Sequence, residues 1–267
     1  MLPSLFTAGN IALGFYAITQ SLQGTMSDFA YFDRAALAIA FAMPFDALDG
    51  RIARMTNTES DFGRELDSLA DVITFGVAPS ILAYTWGFRL LPMVGNLHMR
   101  QRVVDLGLFV AFLFLICGAC RLARFNVTVN PKPSNPGRPG RRYFVGMPIP
   151  AAAGVIASVV HCFNGSPIDN NWIGLVWMGL LGFAGFLMVS RWRFWSGKEI
   201  NLGSQHPTRV LIVIAIAGVV LAEWSEYVLI SMALAYMVSG MWARLLYEAQ
   251  SRRARRLGVP MPGVSGT

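Results

Sequence analysis

Charged side chains are scarce: Asp, Glu, Lys and Arg make up 14% of the 267 residues, against about a quarter in soluble domains. That deficit excludes an ordinary water-soluble protein, because apolar residues at 54% and a mean hydropathy of +0.49 take the place of charge. Cysteine is rare as well. Cys117, Cys120 and Cys162 all lie in apolar stretches, and three so placed do not make a disulfide framework. Cys117 and Cys120 form a C-x-x-C, which inside a membrane helix reads as small residues easing helix packing rather than as redox chemistry. His98, His161 and His206 are scattered without metal-ligand spacing. The first residues lack a basic run ahead of the apolar ones, so no cleaved signal peptide is expected.

What is present is a series of apolar runs of the length a helix needs to cross a bilayer, about 17 to 25 residues. They predict an all-α polytopic integral membrane bundle of about eight transmembrane helices, near 5–22, 35–53, 67–87, 103–123, 147–164, 172–190, 209–223 and 226–246. With both termini cytoplasmic, 18 of the 22 Lys and Arg fall in inside segments, leaving Arg34, Arg89, Arg100 and Arg102 outside; this is the asymmetry the positive-inside rule describes. The expected location is therefore the cell membrane, multi-pass. The net charge of +7 is explained by those loops, and no nucleic-acid partner is expected. PKPSNPGRPGRR, 131–142, reads as a cytoplasmic loop. Residues 1–250 form one membrane domain, and 251–267 a basic tail, disordered beyond its Arg cluster, whose charge sets topology and attracts anionic lipid. No internal repeat is present. Small residues on many helices leave room for a homodimer.

Four carboxylates interrupt the apolar pattern in PFDALDGRIARMTNTESDFGRELDSLAD, Pro44 to Asp71. Asp46 and Asp49 are three apart and Asp67 and Asp71 four apart, so each pair shares one face of its helix, and a turn near Thr56 to Asp61 can bring the pairs together. Carboxylates at membrane depth line polar cavities and mark function. Four together repel unless cations intervene, and hard oxygen ligands suit Mg²⁺ or Mn²⁺; two divalent cations bridged by shared carboxylates satisfy all four. Gly50 and Gly63 let a substrate approach helix backbone closely, and Ala53 keeps the same face small. The alternative is an interfacial salt-bridge cluster with Arg51, Arg54 and Arg64. Arg54 suits either part, orienting a carboxylate or contacting a phosphate.

The string Asp46-x-x-Asp49-Gly50-x-x-Ala53-Arg54, then Gly63-x-x-x-Asp67-x-x-x-Asp71, places eight residues at fixed spacing across 26 positions. It resembles the signature of the CDP-alcohol phosphotransferases. LPSLFTAGNIALGF near the N-terminus, CRLARFNV at 120–127, YFVGMPIPAAAG at 143–154 and MVSRWRFWSGK at 188–198 are similar to the bacterial phosphatidylserine synthase branch of that family. Ser4 stands where asparagine is frequent in that branch, and the last two helices carry little that matches it.

The resemblance implies transfer of a phosphatidyl group from CDP-diacylglycerol to the hydroxyl of L-serine, giving phosphatidylserine and CMP. It implies Asp46, Asp49, Asp67 and Asp71 as metal ligands, Asp71 also as general base, and Gly50, Ala53, Arg54 and Gly63 beside the CDP-lipid. Thr7 and Asn10, three apart on the first helix, could bind the diphosphate or order a metal-bound water; interhelical hydrogen bonding is the alternative. Arg121 and Arg124 share a face at i and i+3 and are candidates for the serine carboxylate, although arginines ending a membrane helix also set topology and snorkel. Tyr143 to Pro150 is expected to enter the membrane through an irregular turn and close one wall of the site. Rival readings keep the chemistry with choline, glycerol 3-phosphate or inositol phosphate, for which Arg138, Arg141 and Arg142 are available, or replace it with a divalent-cation transporter.

Overall fold

The computed structural model describes residues 2–56, 61–92, 97–128, 143–195 and 207–257. The chain is helical almost throughout. Helix α1 spans Leu2–Gln23 and α2 spans Ala30–Thr56. A continuous helical rod then runs from α3, Asp61–Asp71, through a π-helical turn at Val72–Val77, into α4, Ala78–Tyr84, and a second π turn at Thr85–Arg89. Helices α5, Leu97–Val127, α6, Ile149–Cys162, and α7, Asn171–Val189, follow, and α8 covers Pro207–Leu257. Two three-residue strands, β1 at Tyr143–Val145 and β2 at Arg193–Trp195, pair antiparallel with Phe144 opposite Phe194.

Every predicted apolar run lies within a helix or overruns it by no more than two residues at either end, and α8 holds the last two, broken at Trp224 where the backbone leaves the helical region (φ −131°, ψ 35°). Among the described residues four helices are long and apolar enough to cross a membrane: Asp61–Arg89, Arg100–Val127, Asn171–Val189 and Glu223–Arg253. Eight crossings are expected from the sequence. Two of the differences have plain causes: α2 is diluted by Asp46, Asp49, Arg51 and Arg54, and α6 is apolar but only 14 residues long. The loop 131–142 lies outside the described residues, as does 258–267, and α8 carries the helix through the Arg cluster to Leu257.

Helix α1 packs along α2, α5 against α7, and α6 between α2 and α8. The core joins Phe32, Ile39, Phe75, Leu82, Trp86, Phe114 and Ile156, whereas Phe109 and Phe112 on α5 and Val176 and Phe186 on α7 are exposed. Such outward apolar side chains suit a lipid environment. Gly185 on α7 faces Cys117 on α5, whose Sγ would be in ordinary van der Waals contact, 3.6 Å, with a Cβ at that position, and the three cysteines are free thiols. This is the packing role expected of Cys117.

Two polar locks tie the helices together away from the acidic motif. His161 on α6 donates from Nδ1 to Asp33 Oδ1 on α2 at 2.5 Å, and its Nε2 meets Ser225 Oγ at 2.8 Å, just past the break in α8. Trp86 Nε1 donates to Ser166 O at 2.8 Å, and Trp177 Nε1 to Ala83 O at 3.1 Å. Buried ring nitrogens need such partners.

Candidate active site

Pro44 sits inside α2. Lacking an N–H, it cannot bond the carbonyl of Ala40, which loosens the helix one turn before the acidic residues. Asp46 follows on α2, and Asp67 and Asp71 occupy successive turns of α3. Carboxylate oxygens of these three half-buried residues lie within 4.8 Å of one another. The Asp71 side chain shares a hydrogen bond with Asp46, and its Oδ1 is buried without a partner. Two carboxylates in such contact must either share a proton or have a cation between them. Oxygen-only donors at this spacing, one of them orphaned, fit a hard divalent cation.

Asp49, Gly50, Ala53 and Arg54 continue along α2, and their side chains lie outside the described residues. Gly63 is half-buried one turn before Asp67. Residues 57–60, within the expected turn near Thr56 to Asp61, also lie outside the described residues.

Helix α1 forms the next wall. Thr7 is 4% exposed and Asn10 1% exposed; neither side-chain atom of Asn10, Oδ1 or Nδ2, has a hydrogen-bond partner. The π turn that begins directly after Asp71 brings Thr74 to α1, where its hydroxyl donates to Asn10 O at 2.9 Å. Gly14 makes the approach possible, since a Cβ there would stand 2.9 Å from Thr74 Cα. Thr74 is absent from the sequence reading because an i+3 threonine looks like ordinary helix, and only the wider turn shows its direction.

The two arginine candidates are treated differently by the fold. Arg124 donates from one terminal nitrogen to Val189 O at 2.9 Å and from the other to Ser190 O at 3.4 Å, closing the C-terminal end of α7. Arg121, 7% exposed, stands near Asp71, and its Nε has no partner. Asn126 Nδ2 donates to Ser68 Oγ at 2.9 Å, tying the end of α5 to α3 beside Asp67. The segment Tyr143 to Pro150, expected to be an irregular turn, is strand β1, a turn over Gly146 to Pro148 and the start of α6: Gly146 takes φ +78°, its N–H donates to Trp192 O at 2.8 Å, and Pro148 precedes α6 in an extended conformation. A side chain at Gly146 would run into the carbonyls of Met188 and Ser190. Arg138, Arg141 and Arg142 lie outside the described residues.

Comparison with known proteins gives the family. The chain is 36% identical over 219 residues to a protein of Helicobacter pylori named CDP-diacylglycerol–serine O-phosphatidyltransferase, covering 82% of each chain. A Bacillus subtilis protein of the same name is 36% identical over 72% of this chain and 89% of its own. Another from Saccharomyces cerevisiae is 38% identical over 59% of this chain and 52% of its own. The family model described as CDP-alcohol phosphatidyltransferase matches residues 1–183. That match takes in α1, the whole acidic motif, both candidate arginines and most of α7, and on it the chain belongs to the CDP-alcohol phosphatidyltransferase family.

Proposed function

We propose that the protein transfers the phosphatidyl group of CDP-diacylglycerol to the hydroxyl of L-serine, giving phosphatidylserine and CMP. The convergence of Asp46, Asp67 and Asp71, in a chain whose relatives carry the serine-transferase name over most of their length, is the observation that carries this reading. A new bond forms between serine Oγ and the lipid phosphorus, the diphosphate P–O bond breaks, and CMP leaves with the bridging oxygen.

Asp46, Asp49, Asp67 and Asp71 would hold two divalent cations, Mg²⁺ or Mn²⁺, which supply neutralisation of the diphosphate and of the departing CMP oxygen. Asp71 takes the serine hydroxyl proton, a role that needs a carboxylate oxygen within hydrogen-bond reach of it. Thr7 and Asn10 offer hydroxyl and amide groups to the diphosphate from α1. Gly50, Ala53 and Gly63 leave room for the cytidine side, with Arg54 facing phosphate. Arg121 receives the serine carboxylate, while Arg124 holds the α7 end against β1 and β2.

In this reading all eight apolar runs cross or enter the bilayer of the cell membrane, residues 1–250 act as one unit, and the site faces the cytoplasm. It opens sideways to the acyl chains and inward to water. CMP release from CDP-diacylglycerol by the purified protein in detergent, with Mn²⁺ or Mg²⁺, tests it, offering L-serine, choline, glycerol 3-phosphate and inositol phosphate separately. Release with serine alone is expected. Release with another alcohol would keep the aspartate chemistry and discard the acceptor; no release with any would favour divalent-cation transport.

A further inference from the structure

We propose that the outward face of α8, near its C-terminal end, is a seat for an anionic phospholipid, with Arg252 and Arg253 on the phosphate and an apolar stripe of the helix along an acyl chain. The seat goes beyond the transferase reading. It lies on an element outside the family match, which ends at residue 183, and uses none of the acidic site.

One face of α8 is committed to the protein. Tyr236 donates its hydroxyl to Trp195 O on β2 at 3.0 Å, a side chain at Gly240 would overlap Phe194, and Met237 and Ser251 are buried. The opposite face is open. Val238, Trp242, Leu245, Ala249 and Arg252 follow one another at spacings of four, three, four and three residues, which sets them in one stripe along the helix, and all are exposed. The stretch Glu223–Arg253 is long and apolar enough to cross a membrane, so the apolar part of the stripe meets lipid. From Val238 to Arg252 the helix runs about 21 Å at 1.5 Å per residue, room for an acyl chain beside it.

The stripe ends in a cleft of about 380 Å³, lined among the described residues by Leu245, Glu248, Ala249, Arg252 and Arg253. Its balance of charge is positive: Arg244 Nε already holds Glu248 Oε1 at 2.7 Å, which leaves two guanidinium groups for an anion. Guanidinium N–H groups match phosphate oxygens in pairs. An inorganic phosphate would use the arginines alone, whereas a phospholipid also covers the apolar stripe that leads to them. Trp242 stands on that stripe at 62% exposure, and tryptophan suits the boundary between chain and headgroup. A zwitterionic lipid is the poorer occupant, since its ammonium group opposes the same two arginines. Basic residues ending a membrane helix also attract anionic lipid diffusely; a built seat differs in that Arg252 and Arg253 count for more than Arg255 and Arg256, which carry equal charge about one turn further on.

Equilibrium binding of phosphatidylglycerol with a fluorescent acyl chain to the purified full-length protein in neutral detergent tests this, with EDTA present so that no cation draws phosphate to the acidic site. Wild type is compared with Arg252→Gln/Arg253→Gln and with Arg255→Gln/Arg256→Gln, which removes the same charge. The first pair of substitutions should weaken binding about thirtyfold, the combined attraction of two arginines for a headgroup, while the second stays within about threefold of wild type. Leu245→Asn should weaken it about fivefold through the lost chain contact. Unlabelled phosphatidylglycerol should displace the probe, and phosphatidylcholine and glycerol 3-phosphate should not. Equal losses in the two double variants would reduce the seat to diffuse attraction and overturn the proposal. Displacement by phosphatidylcholine as strong as by phosphatidylglycerol would overturn the charge recognition, and displacement by glycerol 3-phosphate at the lipid's own concentration would make the cleft an anion site without a lipid.

Discussion

Two polar clusters inside the bundle use similar residues and end differently. At one, His161 has both ring nitrogens occupied, by Asp33 and Ser225. At the other, Asn10 has neither side-chain atom occupied, and Asp71 Oδ1 and Arg121 Nε lack partners as well. Helix α2 carries one carboxylate of each cluster, Asp33 and Asp46, roughly 20 Å apart at 1.5 Å per residue. A buried polar group without a partner costs about 1–3 kcal/mol, so the first cluster stabilises the fold and the second is a cost that a ligand can recover. The contrast distinguishes a structural lock from a binding site.

Chelation gives the largest expected effect and bears only on the second cluster. Excess EDTA should reduce CMP release to background, with Mn²⁺ or Mg²⁺ restoring it; activity that survives dialysis against chelator would detach the aspartates from metal chemistry. Next, Asp71→Asn should lower kcat by roughly 10²- to 10⁴-fold, the range for loss of a general base, while binding of CDP-diacylglycerol stays measurable by equilibrium titration. Normal turnover in that variant would remove Asp71 from the reaction.

The comparison is sharpest where one kind of change has opposite signs at the two clusters. Asn10→Leu removes two orphaned polar atoms and should raise the melting temperature of the empty protein, by the equivalent of about 1–3 kcal/mol, while weakening CDP-lipid binding. His161→Ala should lower the melting temperature by a similar amount, since Asp33 is left without its partner, with the KM values of the folded fraction unchanged. A loss of stability in Asn10→Leu would make Asn10 another lock. Asp33→Asn keeps a hydrogen-bond acceptor for His161 and should cost least, about 1 kcal/mol, read from the same melting curves.

Much of the candidate site could be read without coordinates because its residues are local. Asp67 and Asp71 at i and i+4 share a face in any helix, and the turn expected near Thr56 to Asp61 lies where α2 ends and α3 begins. Arg121 and Arg124 show where that reasoning stops. At i and i+3 they look equivalent, yet one closes α7 and the other is buried with its Nε unpartnered. Thr74 was invisible for a related reason: its contact with Asn10 depends on a π turn.

The sequence by itself determined residence in a membrane, the helical class, and the acidic motif with the chemistry it suits, because hydropathy and a 3.6-residue period act within a single element. Only the tertiary structure decided which polar groups stay unpaired, how α8 meets β2, and which of the two arginines closes α7. Those outcomes depend on the rotation and depth at which separate helices pack, which side-chain volumes across the whole bundle set together.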